Sequence, residues 1–278
     1  MAIRIPRRFR ILGPWLRARR EGRCQDVTIR PLLRFLTMPS MRRRGMRFVT
    51  GLDEEEGQWT VKLRGFDRPI YWPKDWSLDT LGMLVSEQFD PDDWHYYQIA
   101  ETRLEPDDVA LDCGAAEGLF TLLAARDCRK VHAFEPLPLF CANLRRSFAG
   151  LANVAIVPVL LSNRVGETAL AAQGIVSAEA RDGGVSCRVE TLDNLFPDGG
   201  ERVTYLKADV EGAEMELLEG ARRLIARDQP KIAITTYHRR DHAEQIAAFL
   251  RELNPRYRIK TKGVCENACP VMLHAWNG

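Results

Sequence analysis

The chain has 278 residues, 45% hydrophobic and 28% charged, with a formal net charge of +2, an ordinary balance for a globular protein with room for one full domain and an appendage. No run of eighteen apolar residues is present and no apolar core follows the N-terminal arginines, so neither a membrane span nor a secretory signal is expected, and the expected location is cytoplasmic. Seven cysteines, an odd number, are then expected to be reduced thiols, with Cys113, Cys128 and Cys141 as small apolar packers.

Residues 1–47 form a basic arm. They hold fourteen arginines against two acids, which leaves the remaining chain acidic. Arg7-Arg8, Arg19-Arg20 and Arg42-Arg43-Arg44 alternate with Ile11, Leu12, Trp15, Leu16, Leu32, Leu33, Phe35 and Leu36, a mixture suited to an anionic surface with an apolar layer behind it. Peripheral contact with an anionic membrane is one reading and nucleic-acid binding another. A solvated tail, or an arm packed on its own acidic domain, stands beside them.

Residues 48–106 read as a small cap or lid. Phe48-Val-Thr, Trp59-Thr-Val-Lys-Leu and Pro69-Ile-Tyr-Trp72 are expected strands, with an acidic turn at Asp53-Glu-Glu-Glu56. A helix is expected through Trp76, Leu78, Leu81 and Val85. The aromatic group Trp94-His-Tyr-Tyr97 follows, and rings of that density beside a crevice suit either a stacking lid over a sugar, in which Trp94 and Tyr97 would set acceptor affinity, or a cover for the first helix of the sheet that never meets substrate.

The most informative stretch is Val109-Ala-Leu-Asp-Cys-Gly-Ala-Ala-Glu-Gly118, then a helix-forming run, then Val131-His-Ala-Phe-Glu135. An apolar run ending in an acid and a glycine turn is the first strand and turn of a doubly wound sheet. Gly114 permits a tight turn, Ala115 lies inside it, and Gly118 is expected to let the next helix start close to a ligand. Glu135 stands where such a fold places the acid that accepts both ribose hydroxyls. A dinucleotide turn needs G-x-G-x-x-G, and Ala116 occupies the second glycine position. The remaining acid-x-Gly-x-x-x-Gly pattern suits S-adenosylmethionine, whose amino-acid end carries no phosphate.

Downstream, the run from Val154 to Leu161 is a third strand ending at Ser162-Asn163. The segment from Glu167 to Val189, rich in glycine, is a hairpin-like insertion beside the acceptor pocket. Val203–Ala208 is a fourth strand ending at Asp209, and Lys231–Tyr237 a fifth ending at His238. Between them, Glu211 to Ile225 carries apolar residues at the spacing of one crossover helix. Strands alternating with helices imply parallel pairing, with ligands at the strand C-termini, so Asp112, Glu135, Asp209 and His238 should face one crevice. Cys265-x-x-x-Cys269 has half the spacing of a zinc site, but no second pair follows.

The segments D-C-G-A-A-E-G at 112–118, H-A-F-E-P at 132–136, E-T-L-D at 190–193 and L-K-A-D-V-E-G-A-E-M-E-L-L-E-G-A at 206–221 resemble the FkbM-type S-adenosylmethionine-dependent methyltransferases. The resemblance runs from about residue 107 to residue 237, and the K-x-D-x-E-G-A-E stretch is its specific part. It implies an α/β, doubly wound, Rossmann-like class I methyltransferase sheet over residues 107–278, preceded by the cap and the arm. The family usually has Asn at the position of Ala116. It also implies O-methylation of a sugar, glycan or secondary-metabolite hydroxyl, so the expected partner is a small-molecule or glycan acceptor.

An alcohol is a poor nucleophile and benefits from a base or a metal that acidifies it. Asp209, Glu211 and His238 are the candidate catalytic residues, His238 or Asp209 taking the proton and Glu211 orienting the site. Asp209 could instead cap the helix that follows. The candidate cofactor residues are Asp112, Gly114, Ala115, Gly118, Glu135 and Ser162. A divalent metal at Asp209, Glu211 and His238 is compatible with the residue types and not required by them. Two further classes stay open: a nucleic-acid methyltransferase using the arm, and a non-catalytic binding module of the same fold. Against the first, base-amine methyltransferases carry a proline-rich turn where this chain has Asp209-Val-Glu-Gly. The sequence says nothing of oligomeric state.

Overall fold

The computed structural model describes residues 7–170 and 184–278. Its N-terminal arm folds as three short helices, α1 (Leu12–Arg20), α2 (Ile29–Thr37) and α3 (Met41–Gly45), and these pack on the rest of the chain. Ile11, Ala18, Cys24, Val27, Leu32 and Leu36 share an apolar cluster with Trp94, Val264 and Ala268. Arg44 is buried between Asp90, 3.0 Å away, and Asp93. Arg23 pairs with Glu244 at 3.2 Å and Arg240 with Glu21 at 2.8 Å, so arm and domain exchange charges in both directions. Phe9, Leu12, Leu16, Ile29 and Leu33 stay exposed on the outer face.

The cap contains β1 (Val49–Glu55), β2 (Gln58–Leu63) and β3 (Ile70–Trp72), an antiparallel sheet, followed by α4 (Leu78–Phe89). The acids expected to form a turn lie largely in β1 itself, and the chain reverses at Glu56-Gly57, whose φ values of +49° and +77° are those of a two-residue hairpin. Exposed Asp53 and Glu54 are tolerated there because Lys62 and Lys74 sit 2.9 and 2.5 Å from them. Ser77 caps α4 by accepting the Thr80 N–H at 3.1 Å. Val61, Ile70, Trp72, Leu81 and Val85 share one apolar cluster with Ala110, Ala133 and Tyr205, so the cap covers one face of the main sheet.

That sheet begins with β4 (Val109–Cys113), α5 (Leu119–Asp127), β5 (Lys130–Phe134), α6 (Pro138–Ser147) and β6 (Val154–Val157). The apolar run 154–161 then divides at Pro158, which has no N–H for a ladder. Its second part, β7 (Leu160–Leu161), joins a smaller sheet with β8 (Gly166–Leu170) and β9 (Val185–Glu190). β8 and β9 pair antiparallel, so both ends of the expected insertion form a hairpin, and its residues 171–183 lie outside the described residues.

After α7 (Leu192–Leu195), the chain returns through β10 (Tyr205–Ala208), α8 (Glu214–Glu219), α9 (Arg222–Asp228), β11 (Lys231–Thr235), α10 (His242–Leu253), β12 (Tyr257–Lys262) and β13 (Met272–Asn277). The single crossover helix expected from Glu211 to Ile225 is two helices. They part at Gly220, whose backbone lies so close to the Ser162 carbonyl that a Cβ would come within 2.0 Å of it. Leu217, Leu218, Leu224 and Ile225 nonetheless all enter the core of the second face, each contributing about 1.5–3 kcal/mol by burial.

The strand order is β12-β13-β11-β10-β4-β5-β6. β11, β10, β4, β5 and β6 are parallel, as expected; β13 runs antiparallel between β11 and β12. The short connection from Lys262 to Met272 allows an antiparallel return and is too short for a helical crossover. No described helix is long and apolar enough to cross a membrane.

Candidate active site

Parallel pairing puts the C-terminal ends of β4, β5, β10 and β11 along one edge, and the polar groups predicted for the site lie on the turns there. The turn after β4 is closed by its own hydrogen bonds. The N–H groups of Gly114 and Ala115 both donate to Phe134 O, at 3.1 and 3.0 Å, and that of Ala116 donates to Glu135 Oε2 at 3.0 Å. None of these amides remains to cradle a pyrophosphate, which is the physical content of the missing second glycine.

Gly114, at φ +81°, passes so near β10 that a Cβ would meet Asp209 O at 1.9 Å. Gly114→Ala is therefore expected to destabilise the fold by well over about 1 kcal/mol in chemical denaturation and to displace the Asp209 turn; unchanged stability would contradict this packing. The space left by the missing side chain of Gly118 faces Leu144 and Phe148, with a Cβ 2.7 and 2.9 Å from them, so the glycine serves the packing of α5 on α6. Ala116 takes φ +44°, a region that Asn enters more readily than Ala.

Asp112 also departs from its expected role. Its side chain is fully buried, with Oδ1 2.9 Å from Lys207 Nζ and Oδ2 accepting the Thr121 hydroxyl at 2.5 Å. A group so enclosed cannot touch a cofactor. It acts through Lys207, which also donates to Gly114 O at 2.6 Å and lies 5.2 Å from the Tyr97 ring centroid. Burial works against the Lys207 charge, but Asp112 and Asp209 outweigh it and hold the ammonium protonated. Lys207 thus ties the cofactor turn to the end of β10.

Glu135 stands at the end of β5 with Oε1 accepting the Leu137 N–H at 2.9 Å and Oε2 that of Ala116. Burial pushes it up to about 7 despite those bonds. Glu117, inside the same turn and 6% exposed, is likewise raised to about 7 by burial and has no ion-pair partner among the described residues. Ser162 instead joins the smaller sheet, donating its N–H to Glu190 O at 2.9 Å.

Asp209, Glu211 and His238 do come together. His238 Nε2 lies 3.2 Å from Glu211 Oε2 and 3.9 Å from Asp209 Oδ1, and Nδ1 donates to the buried Glu214 Oε1 at 2.9 Å. Burial opposes charge on this ring. The bonds to Glu211 and Glu214 prevail and lift it to about 10, so at neutral pH His238 is an imidazolium and not a free base. Asp209 caps no helix: Oδ2 accepts the Tyr97 hydroxyl at 2.6 Å and Oδ1 the Thr235 hydroxyl at 3.1 Å. His95 Nε2 lies 3.6 Å from the same Oδ2, and burial lowers its pKa, keeping the ring neutral.

Tyr97 and His95, both from the cap, were missed as partners of Asp209. The Trp94-His-Tyr-Tyr97 cluster signalled the segment but not the contact. Trp94 itself stacks on Phe35 of the arm at 3.9 Å and is nearly buried, so it anchors the arm and is no lid.

Asp209, Glu214 and His238 bring potential ligand atoms within 4.8 Å of one another. As arranged, Glu214 Oε1 already accepts from His238 and from the N–H groups of Val210 and Gly212, at 3.2 and 3.3 Å. A proton on His238 offsets one of these carboxylate charges, and the donor set does not fit a cation without releasing those bonds.

Comparison with known proteins accords with this geometry. Residues 112–257, just over half of the chain, match the Methyltransferase FkbM domain. The chain belongs to the FkbM methyltransferase family. It is 32% identical over 168 residues to methyltransferase sdnD of Sordaria araneosa, covering 45% of this chain and 64% of that protein. The FkbM methyltransferase of Methylobacillus flagellatus KT has a similar fold, with a TM-score of 0.51 at 20% identity over 73% of this chain and 55% of that one. The chain thus spans just under two thirds of the first relative and about half of the second.

Proposed function

We propose that this FkbM-family chain transfers a methyl group from S-adenosylmethionine to a hydroxyl oxygen of a sugar, glycan or secondary-metabolite scaffold. The observation that carries the reading is the Asp209 carboxylate, set beside the cofactor turn and held between neutral His95 and the His238 imidazolium. S-adenosylmethionine, when bound, supplies an electrophilic methyl on a sulfonium. The residues of the turn fit it. Glu135 keeps unused acceptor capacity on both oxygens for ribose hydroxyls, and Glu117 offers a buried carboxyl without an ion-pair partner among the described residues, suited to the ammonium of the amino-acid end. The amides that a phosphate would need are already engaged.

Asp209 orients the acceptor hydroxyl and receives its proton, which passes to neutral His95. Tyr97 and Thr235 fix the carboxylate by donating to it, one to each oxygen. Glu211 and Glu214 hold His238 as a cation, which keeps positive charge beside the oxygen that loses the proton. A hydroxyl acceptor is favoured over an exocyclic base amine because an acid followed by Val-Glu-Gly, and no proline-rich turn, ends β10.

Calorimetry with S-adenosylmethionine and S-adenosylhomocysteine tests the cofactor, and a screen of hydroxylated glycans tests the acceptor. Micromolar or tighter binding of both nucleosides is expected; no binding of either removes the reading. Turnover is expected to survive exhaustive treatment with a chelator, because His238 and Glu214 are already engaged in bonds that a cation would have to break. Turnover that vanishes with the chelator and returns with magnesium would reassign Asp209, Glu214 and His238 as metal ligands.

A further inference from the structure

The connection between β12 and β13 carries two cysteines that the methyl-transfer reading does not use. Cys265 and Cys269 face each other with Sγ atoms 2.6 Å apart, and the turn between them is closed by Cys265 N–H to Cys269 O at 2.9 Å and Ala268 N–H to Cys265 O at 3.0 Å. The backbone thus already holds the sulfurs together, and little further chain entropy opposes joining them. Cys265 is partly exposed, whereas Cys269 is buried, next to Ala268, which belongs with Cys24, Val27, Leu32 and Trp94 to the apolar cluster on which the arm is seated.

We propose that Cys265 and Cys269 form a thiol–disulfide exchange site, oxidised by a low-molecular-weight disulfide such as oxidised glutathione. The accessible sulfur of Cys265 attacks one sulfur of the exogenous disulfide and expels one thiolate. Cys269, losing its proton, attacks Cys265 Sγ in the mixed disulfide and expels the second. One S–S bond is made in the protein and one is broken in the oxidant; two protein thiols are oxidised, one disulfide is reduced to two thiols, and the two protons leave to the expelled thiolates or to water.

The division of labour follows from the surroundings. The hydrogen bond from Cys269 lowers the Cys265 thiol to about 6, while the same bond and burial raise Cys269. The attacking group is therefore the one solvent can reach, which is the arrangement that exchange chemistry requires. Cys24 is the nearest competitor, but it is 3% exposed and burial raises it to about 12, so it remains a thiol. Oxidation would brace the connection that receives the arm, since Asp26 of the arm accepts the N–H of Thr261 at 2.8 Å just before it.

The full chain is equilibrated in glutathione redox buffers, quenched in denaturant with N-ethylmaleimide and weighed intact. Reduced protein should take seven maleimides, one for each cysteine, and oxidised protein two fewer, with a peptide map joining Cys265 to Cys269. Cys269→Ser should stop at one glutathione on Cys265, and Cys265→Ser should acquire neither the bond nor the adduct. Seven maleimides at every buffer ratio, a bond that includes Cys24, or a stable glutathione adduct on the unmodified sequence would overturn the proposal.

Discussion

Asp209→Asn is expected to lower turnover by about 10²–10⁴ while leaving S-adenosylhomocysteine affinity within about twofold, the usual range for loss of a positioned proton acceptor. Asn keeps the size of the side chain and can accept on one atom, so the Tyr97 or Thr235 bond survives and the fold is spared. What disappears is the negative charge on which the acceptor's proton and both histidines depend. His95→Gln should cost less, because the first proton transfer is still possible. Single-turnover rates measured alongside binding separate the two effects, and equal turnover in Asp209→Asn and the native chain would refute the assignment.

The pH dependence gives a second handle on the same site. Burial lowers the His95 pKa below its ordinary value of 6.5, so the ring is neutral and able to take a proton throughout the neutral range. The acid limb of the rate profile should accordingly fall below 6.5 and should change shape in His95→Gln. His238 has the opposite sign. Its folded value of about 10 exceeds the unfolded one, so the stability it contributes is complete below about 6.5 and is lost as the pH rises through about 10.

The strand-turn-helix-strand unit from Val109 to Glu135 was legible because its signals are local: apolar runs, a glycine turn and a terminal acid within one crossover. The convergence of Asp209, Glu211 and His238 followed from the same logic, since parallel strands carry their ends to one edge. What the sequence concealed is contact between distant segments. Tyr97 reaches Asp209 across 112 positions, and Lys207 reaches Gly114 O across 93. Periodicity reports which face of a strand is buried and says nothing of the partner waiting there. Asp112 shows the consequence: a strand-end acid in a cofactor motif looks like a ligand until its lysine is known. The edge strand β12 and β13 beside it were unreadable for another reason, since the antiparallel return between them has no crossover helix to mark it.

Lys207→Met is expected to destabilise the protein by about 3–5 kcal/mol, the cost of leaving one charge of a buried pair without its partner. Asp112 has no solvent exposure, and after the substitution its remaining donor is Thr121. The Gly114 carbonyl would lose its bond at the same time, freeing the turn on which Glu117 and Ala116 are mounted. Adding Asp112→Asn removes the stranded charge, so the double variant should recover a large share of the stability lost in chemical denaturation. Cofactor affinity should not recover with it, because Asn and Met cannot bind the turn to the end of β10 as the ammonium does. A double variant that regains both would mean that the pair serves stability alone; one that regains stability without affinity marks Lys207 as the residue that positions the cofactor turn against Asp209.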